Sequence, residues 1–331
     1  MSNIRYLTKY LFLKSINENL NSPTTVIFNS FPEDQKKQWP LLRDNLSALE
    51  SAYVREDIFK NIGIKFLHIP HRIKSTTASV DKKTIESRDC FLCEKNLPGE
   101  QRGILFLDKY VLLCNPYPIF EKHFTLAGLN HEPQQIQNHL NNMISLAREF
   151  GDEYLLFYNG PNCGASAPDH FHFQVCRQSD LPVVKRIHSS LYNFFQLPSQ
   201  NKGTTTYLDD TFPAPYIVLK SDNEDSLFSE FNSWYNRLKK YFTEDNEPKI
   251  NLLAFYHEGN YHLVIFPRMK HRPECYFKEG NESLLISPAA IDLSGIVVVP
   301  RHEDFIRLSE SDLIKIYNEV TISADKLKQL A

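Results

Sequence analysis

No stretch of this 331-residue chain approaches the run of about eighteen apolar residues that a membrane-spanning helix needs. Residues 1–10 hold no uninterrupted apolar core of leader-peptide length. Cysteine is scarce, with six residues at 90, 93, 114, 163, 176 and 275, too few and too scattered for a disulfide scaffold. A basic surplus is missing too: 37 Lys and Arg stand against 40 Asp and Glu, a net charge of −3. That balance argues against a nucleic-acid binder, whose electrostatic footprint is positive. The absences together predict a cytoplasmic protein with no membrane and no nucleic-acid partner. What remains is ordinary globular composition, 42% hydrophobic and 23% charged, in a chain long enough for two domains.

One segment departs from that ordinariness. The turn Asn159-Gly160-Pro161-Asn162-Cys163-Gly164-Ala165-Ser166 leads into Asp169-His170-Phe171-His172-Phe173-Gln174-Val175. Read as a strand, side chains alternate between faces. Phe171, Phe173 and Val175 then supply one face to a core, and His170, His172 and Gln174 line the other. A neutral imidazole can attack phosphorus, and a carboxamide can donate to a phosphate oxygen while accepting from a neighbour. The attacking ring must be neutral, so its second nitrogen should donate to a backbone carbonyl or similar acceptor. A glycine-bearing turn offers backbone N–H groups to an anion, which makes Asn159, Gly160, Gly164, Ala165 and Ser166 candidate substrate ligands. Cys163, in the same turn, stands apart from Cys114, Cys176 and Cys275, which read as small buried side chains.

A second constellation is Cys90-x-x-Cys93, followed thirty positions on by His123 and then by His170. A CxxC alone is ambiguous between a redox pair and a metal site. Two thiolates with two imidazoles fit a closed tetrahedral zinc site, with Cys90, Cys93, His123 and His170 as ligands. Four protein ligands leave no open position, so the zinc would be structural.

The first sixty residues read as helical: Tyr6, Leu7, Tyr10, Leu11 and Leu13 in one segment, and Leu41, Leu42, Leu46 and Leu49 in another. Strand signals follow at residues 62–69, 110–114, 123–129, 154–158 and 170–176, with a helix expected over residues 133–150. The later chain echoes this order, with a helix over residues 224–242 and strands at 252–256 and 261–266. A strand at residues 295–300 makes the second copy look permuted. Ser309-x-x-Asp312 marks a helix start, and residues 197–204 read as a linker. The expected division is a helical extension over 1–60, a catalytic domain over 61–200 and a silent second copy over 205–331. Arg72 and Lys74, in a loop after the 62–69 strand, and Arg268 are candidate polyphosphate ligands.

His-x-His-x-Gln after a Gly/Ser-rich turn resembles the transferase branch of the histidine-triad superfamily. That branch includes galactose-1-phosphate uridylyltransferase, diadenosine tetraphosphate phosphorylases and GDP-hexose phosphorylases. The resemblance covers roughly residues 60–325, and residues 294–301 look similar to the end of the phosphorylases. It implies an α+β fold of two histidine-triad-like halves, with mainly antiparallel sheets and helices packed on one face. It also implies His172 as a covalent nucleotidyl carrier, Gln174 as phosphate partner, and the zinc ligands named above. The substrate would be a nucleoside diphosphate sugar or dinucleoside polyphosphate, and the acceptor phosphate or a sugar phosphate. A monomer or a homodimer fits such a chain. Two alternatives stay open: a hydrolase of the same fold, which Gln174 disfavours, and a non-catalytic zinc-stabilised nucleotide-binding protein.

Overall fold

A computed structural model describes residues 6–8, 23–59, 62–242 and 246–331. In chain order its strands are β1 (Tyr6–Thr8), β2 (Tyr53–Phe59), β3 (Ile62–His68), β4 (Gly103–Phe106), β5 (Tyr110–Cys114), β6 (Phe124–Gly128) and β7 (Tyr154–Asn159). They continue with β8 (His172–Arg177), β9 (Phe195–Leu197), β10 (Thr205–Asp209), β11 (Tyr216–Ser221), β12 (Ile250–His257), β13 (Asn260–Pro267) and β14 (Ile296–Val299). Eleven strands form one sheet, ordered β1-β4-β5-β6-β8-β7-β12-β13-β11-β10-β9, and β14-β3-β2 form a smaller one. The large sheet is antiparallel apart from the β1–β4 pair.

Two halves meet where β7 pairs with β12, Asn159 opposite Asn251 and Phe157 opposite Leu253. Outward from that junction the orders match: β7-β8-β6-β5-β4 on one side, β12-β13-β11-β10-β9 on the other. The helix Leu140–Phe150 sits between β6 and β7, and Glu224–Tyr241 sits between β11 and β12. The repeat therefore runs in the same chain order twice, and the expected permutation is absent. The strand that suggested it, Ile296–Val299, pairs in parallel with β3 instead, Val297 opposite Phe66.

Both faces of the large sheet are covered, which is why β5, β7 and β12 read as near-continuous apolar runs. On the helical face, Leu156, Tyr158, Phe173 and Val175 pack with Ile144, Phe150, Trp234 and Leu238. Each such phenylalanine contributes about 1.5–3 kcal/mol through burial. On the opposite face, Leu155, Phe157 and Phe255 pack with Phe66, Val297, Ile291 and Ile316 from the small sheet and later helices. The site lies on this second face.

The helical reading of the first sixty residues holds at Pro23–Gln38 and Pro40–Glu50. It fails at Tyr6–Thr8 and Tyr53–Phe59, which are strands because β4 and β3 offer them backbone partners. Tyr10, Leu11 and Leu13 fall outside the described residues. The helix expected from residue 133 starts at Leu140. Before it, the Gln134 carboxamide is committed to the site, as described below. Residues 197–204 connect the antiparallel neighbours β9 and β10, held by Glu230, which accepts from the Gln200 and Asn201 N–H groups. Ser309 and Asp312 make the reciprocal helix cap that their spacing predicts. Among the described residues, no helix is long and apolar enough to cross a membrane.

Candidate active site and metal centre

The turn from Asn159 to Ser166 is tied down from the second half of the chain. The Asn159 Oδ1 accepts from Asn251 Nδ2 at 2.8 Å and from the Ala290 N–H at 2.9 Å. Asn251 also donates to the Cys163 carbonyl at 2.7 Å. Gly164 sits at φ +97°, where a Cβ would come 2.6 Å from the Ala289 Cβ, so only glycine passes there. At Gly160 a Cβ would meet the Ile250 carbonyl at 2.8 Å.

β8 alternates as expected. Phe173 and Val175 enter the helical-face core, while His172 and Gln174 line a cavity of about 500 Å³ on the other face. Gln134 clamps the strand: its Oε1 accepts from the His172 N–H, and its Nε2 donates to the His172 and Asn159 carbonyls. The His172 Nδ1 lies 2.9 Å from the His170 carbonyl. A carbonyl only accepts, so Nδ1 carries the proton and Nε2 keeps its lone pair. Burial pushes the imidazole down to about 4, so the ring is neutral at neutral pH.

Gln174 is oriented from the neighbouring strand. The Ile119 N–H donates to His123 Nδ1 at 3.0 Å, which leaves the proton on Nε2. That Nε2 donates to the Gln174 Oε1 at 2.8 Å. The carboxamide NH₂ group is thereby kept for the cavity. Burial, followed by the nearby Arg72 charge, brings His123 down to about 3.

His123 is consequently not a member of the cysteine cluster, which corrects the sequence expectation. The four donors brought together are Cys90, Cys93, His131 and His170, all within 4.8 Å of one another. Strand register explains the exchange. β6 and β8 are antiparallel, Phe124 facing Val175 and Ala127 facing His172. His123 therefore lies just before β6, in register with Cys176 and six residues from His170, about 20 Å along the strands. The loop leaving β6 brings His131 to His170 instead.

The cluster fits a tetrahedral ion. Cys90 Sγ is 3.3 Å from His170 Nδ1, Cys93 Sγ 3.3 Å from His131 Nδ1 and 3.5 Å from His170 Nδ1. Donor separations around tetrahedral zinc are about 3.3–3.8 Å, from its usual bond lengths. The outer ring nitrogens face oxygen: His170 Nε2 reaches the Gly128 carbonyl at 2.8 Å and His131 Nε2 lies 4.0 Å from Asp169. Such outer partners are what hold metal-binding imidazoles in orientation. Burial works against a Cys90 thiolate, but the His170 hydrogen bond and the turn amides outweigh it and bring the thiol to about 6.

The remaining expected ligands divide. Asn159, Gly164, Ala165, Ser166, Arg72 and Lys74 line the cavity. Arg72 Nη1 donates to the Tyr117 carbonyl, while its Nε has no hydrogen-bond partner among the described residues. Burial lowers this guanidinium to about 10, though it remains a full cation at neutral pH. Gly160 supports the turn from outside the lining. Arg268 does not reach the cavity. It is fully buried and donates to Asn251 Oδ1 and to the carbonyls of Val320, Pro288, Lys270 and His271. Its role is to hold the Asn251 side chain under the turn. The lining also includes Asn115, Thr125, Arg272 and Asp292. These come from segments far apart in the chain and carry no local motif. Burial raises the Asp292 carboxyl to about 6, against N–H bonds from Val298 and Ala289.

Comparison with known proteins matches one family model to each half of the chain. Residues 31–177 match the family model described as "Domain of unknown function (DUF4922)", and residues 193–331 match "GDPGP1-like, C-terminal domain". The crystal structure of yeast Ap4A phosphorylase Apa2 superposes with a TM-score of 0.57 at 17% identity, covering 86% of this chain and 97% of that one. The same enzyme in complex with Ap4A gives 0.53 at 17% identity, over 86% and 97% of the two chains. In complex with AMP it gives 0.53 at 18%, over 86% and 96%. No curated protein matches the chain by sequence. The chain has the fold of these Ap4A phosphorylase structures.

Proposed function

We propose that this protein is a nucleotidyltransferase of the phosphorylase type that passes a nucleotidyl group through His172. The observation that carries this reading is the paired orientation of His172 and Gln174. One has Nδ1 spent on a carbonyl, the other has Oε1 spent on His123, and both line the same cavity. In the first step His172 Nε2 attacks the α-phosphorus of a nucleoside diphosphate sugar or dinucleoside polyphosphate. The phosphorus–oxygen bond to the leaving group breaks, and sugar phosphate or nucleotide departs. In the second step inorganic phosphate or a sugar 1-phosphate attacks, the phosphorus–nitrogen bond breaks, and His172 returns to its starting form.

Backbone N–H groups of Gly164 to Ser166, the Gln174 NH₂ group and Arg72 would meet the charge that develops on the phosphoryl oxygens. Preorganised donors of this kind supply most of the rate in such reactions. Lys74 would take a more distal phosphate. Cys90, Cys93, His131 and His170 would hold a zinc ion, whose four protein donors make it a brace and not a Lewis acid. Six scattered cysteines, with no disulfide among the described residues, suit the cytoplasm.

The test is mass spectrometry of the intact protein after incubation with Ap4A and with ADP-, GDP- and UDP-glucose. The expected result is a nucleoside-monophosphate mass increment on His172 that inorganic phosphate discharges. Turnover with no adduct under quenched conditions, and full activity in His172→Ala, would remove the covalent scheme.

A further inference from the structure

A carboxamide has two near-identical ends, and only one of them helps a phosphate. Turned one way, Gln174 donates an N–H to a phosphoryl oxygen. Turned by half a revolution, it points a carbonyl oxygen at the same negative charge. Nothing in the carboxamide itself selects between the two, so the choice must come from its surroundings. Here the hydrogen-bond partner that Gln174 meets among the described residues is an imidazole whose own proton is assigned from the backbone. The Ile119 N–H occupies His123 Nδ1, and Nε2 lies 2.8 Å from Gln174 Oε1. The ring has little freedom to turn: it is 3% exposed and stacks on Phe157 at 5.9 Å with 28° between the planes. Protonation would set a second N–H against the Ile119 N–H, and burial opposes it as well.

We propose that His123 is a positioning residue for Gln174, a fixed donor that allows the carboxamide to present only its NH₂ end to the transferred phosphoryl group. The inference rests on the reading of Gln174 as phosphate partner. It assigns His123 a task unrelated to metal, since the cysteine cluster lies beyond the opposite end of β6. The same relay also links the Pro118-Ile119 turn to Gln174 through two hydrogen bonds, and the Gln174 NH₂ group would make the third, to the phosphate.

The test uses His123→Ala, His123→Gln, Gln174→Ala and the His123→Ala/Gln174→Ala double variant. Turnover is measured with inorganic phosphate and whichever of Ap4A, ADP-glucose, GDP-glucose or UDP-glucose labels His172. His123→Ala should lower kcat about 100-fold, the scale of losing one preorganised donor, with KM changed less than about threefold. His123→Gln, whose side-chain amide can donate to Gln174, should recover most of that loss. In the double variant the two effects should not add, because the histidine acts only through the glutamine. Metal content should stay at the wild-type level in all four proteins. Nitrogen-15 spectra of the wild-type protein should show His123 as the neutral Nε2–H form from about pH 5 to pH 8.

Wild-type kcat in His123→Ala, additive losses in the double variant, an Nδ1–H ring or a loss of metal on replacing His123 would each overturn the proposal. A wild-type kcat in Gln174→Ala would instead overturn the reading of Gln174, and this inference with it. Additivity combined with a large Gln174→Ala loss would spare that reading and sink only the role of His123.

Discussion

The Nδ1 of His172 lies 2.9 Å from the carbonyl oxygen of His170, two residues earlier in the chain. His170 is held at three points. Its Nδ1 joins the cysteine cluster, its Nε2 meets the Gly128 carbonyl at 2.8 Å, and its carbonyl meets the His172 ring. The metal-type cluster and the His172 imidazole are therefore one mechanical unit, joined by a single residue. Replacement of His172 by Ala should leave the fold intact, because the ties of the His170 ring do not run through it. The expected outcome is a loss of turnover of at least about 1,000-fold, since removing a covalent nucleophile abolishes the pathway. Thermal unfolding should move little, and no nucleotidyl adduct should appear in the mass spectrum.

Elemental analysis should find about one zinc per chain. Cys90→Ser and His131→Ala should each lower zinc content and thermal stability together, because metal binding contributes folding free energy when the site forms only on folding. Activity should fall in parallel, through displacement of His170 and with it His172. Active protein free of metal would contradict this expectation.

Arg268 carries no substrate role in this arrangement, and its replacement separates support from chemistry. Arg268→Met should destabilise the fold by at least about 3 kcal/mol, because several buried acceptors lose their donor at once. Denaturant unfolding measures the loss. With Asn251 no longer held, KM should rise, while the zinc content stays unchanged. Wild-type stability in this variant would show that the buried acceptors find other donors.

Glu247 supplies a pH dependence of stability. Its carboxylate accepts from Tyr158 Oη and from the Ile136 N–H, both at 2.6 Å, behind the turn at Gly160. Burial nevertheless raises it from 4.5 to about 7. Between those values the folded chain keeps a proton that the unfolded chain has released. The contribution of this group to stability therefore declines as pH rises from about 4.5 to 7, by up to about 3 kcal/mol. Glu247→Gln removes the titration. The difference in unfolding free energy between wild type and variant should accordingly change between pH 5 and pH 8, in favour of the variant at the higher pH. An invariant difference would place the carboxyl at its ordinary value.

Much of the site was present in the sequence because its decisive residues are close together in the chain. Strand alternation from Phe171 to Val175 sorts core from cavity without any long-range information. The Cys90-x-x-Cys93 spacing brings two thiols together within one turn, and Ser309 caps a helix through a contact three residues away. The neutral tautomer of His172 is likewise set locally, by a carbonyl two residues before it. What only the tertiary structure decided depends on register and on pairing between distant segments. His131 rather than His123 joins the cysteines because β6 runs antiparallel to β8, and a shift along a strand carries no mark in composition. Tyr6–Thr8 is a strand because β4 has an open edge, and Ile296–Val299 leaves the second copy because β3 takes it as a partner. Arg268, expected from the sequence as a polyphosphate ligand, is withdrawn from the cavity because Asn251, Pro288 and Val320 converge on it from three separate parts of the chain.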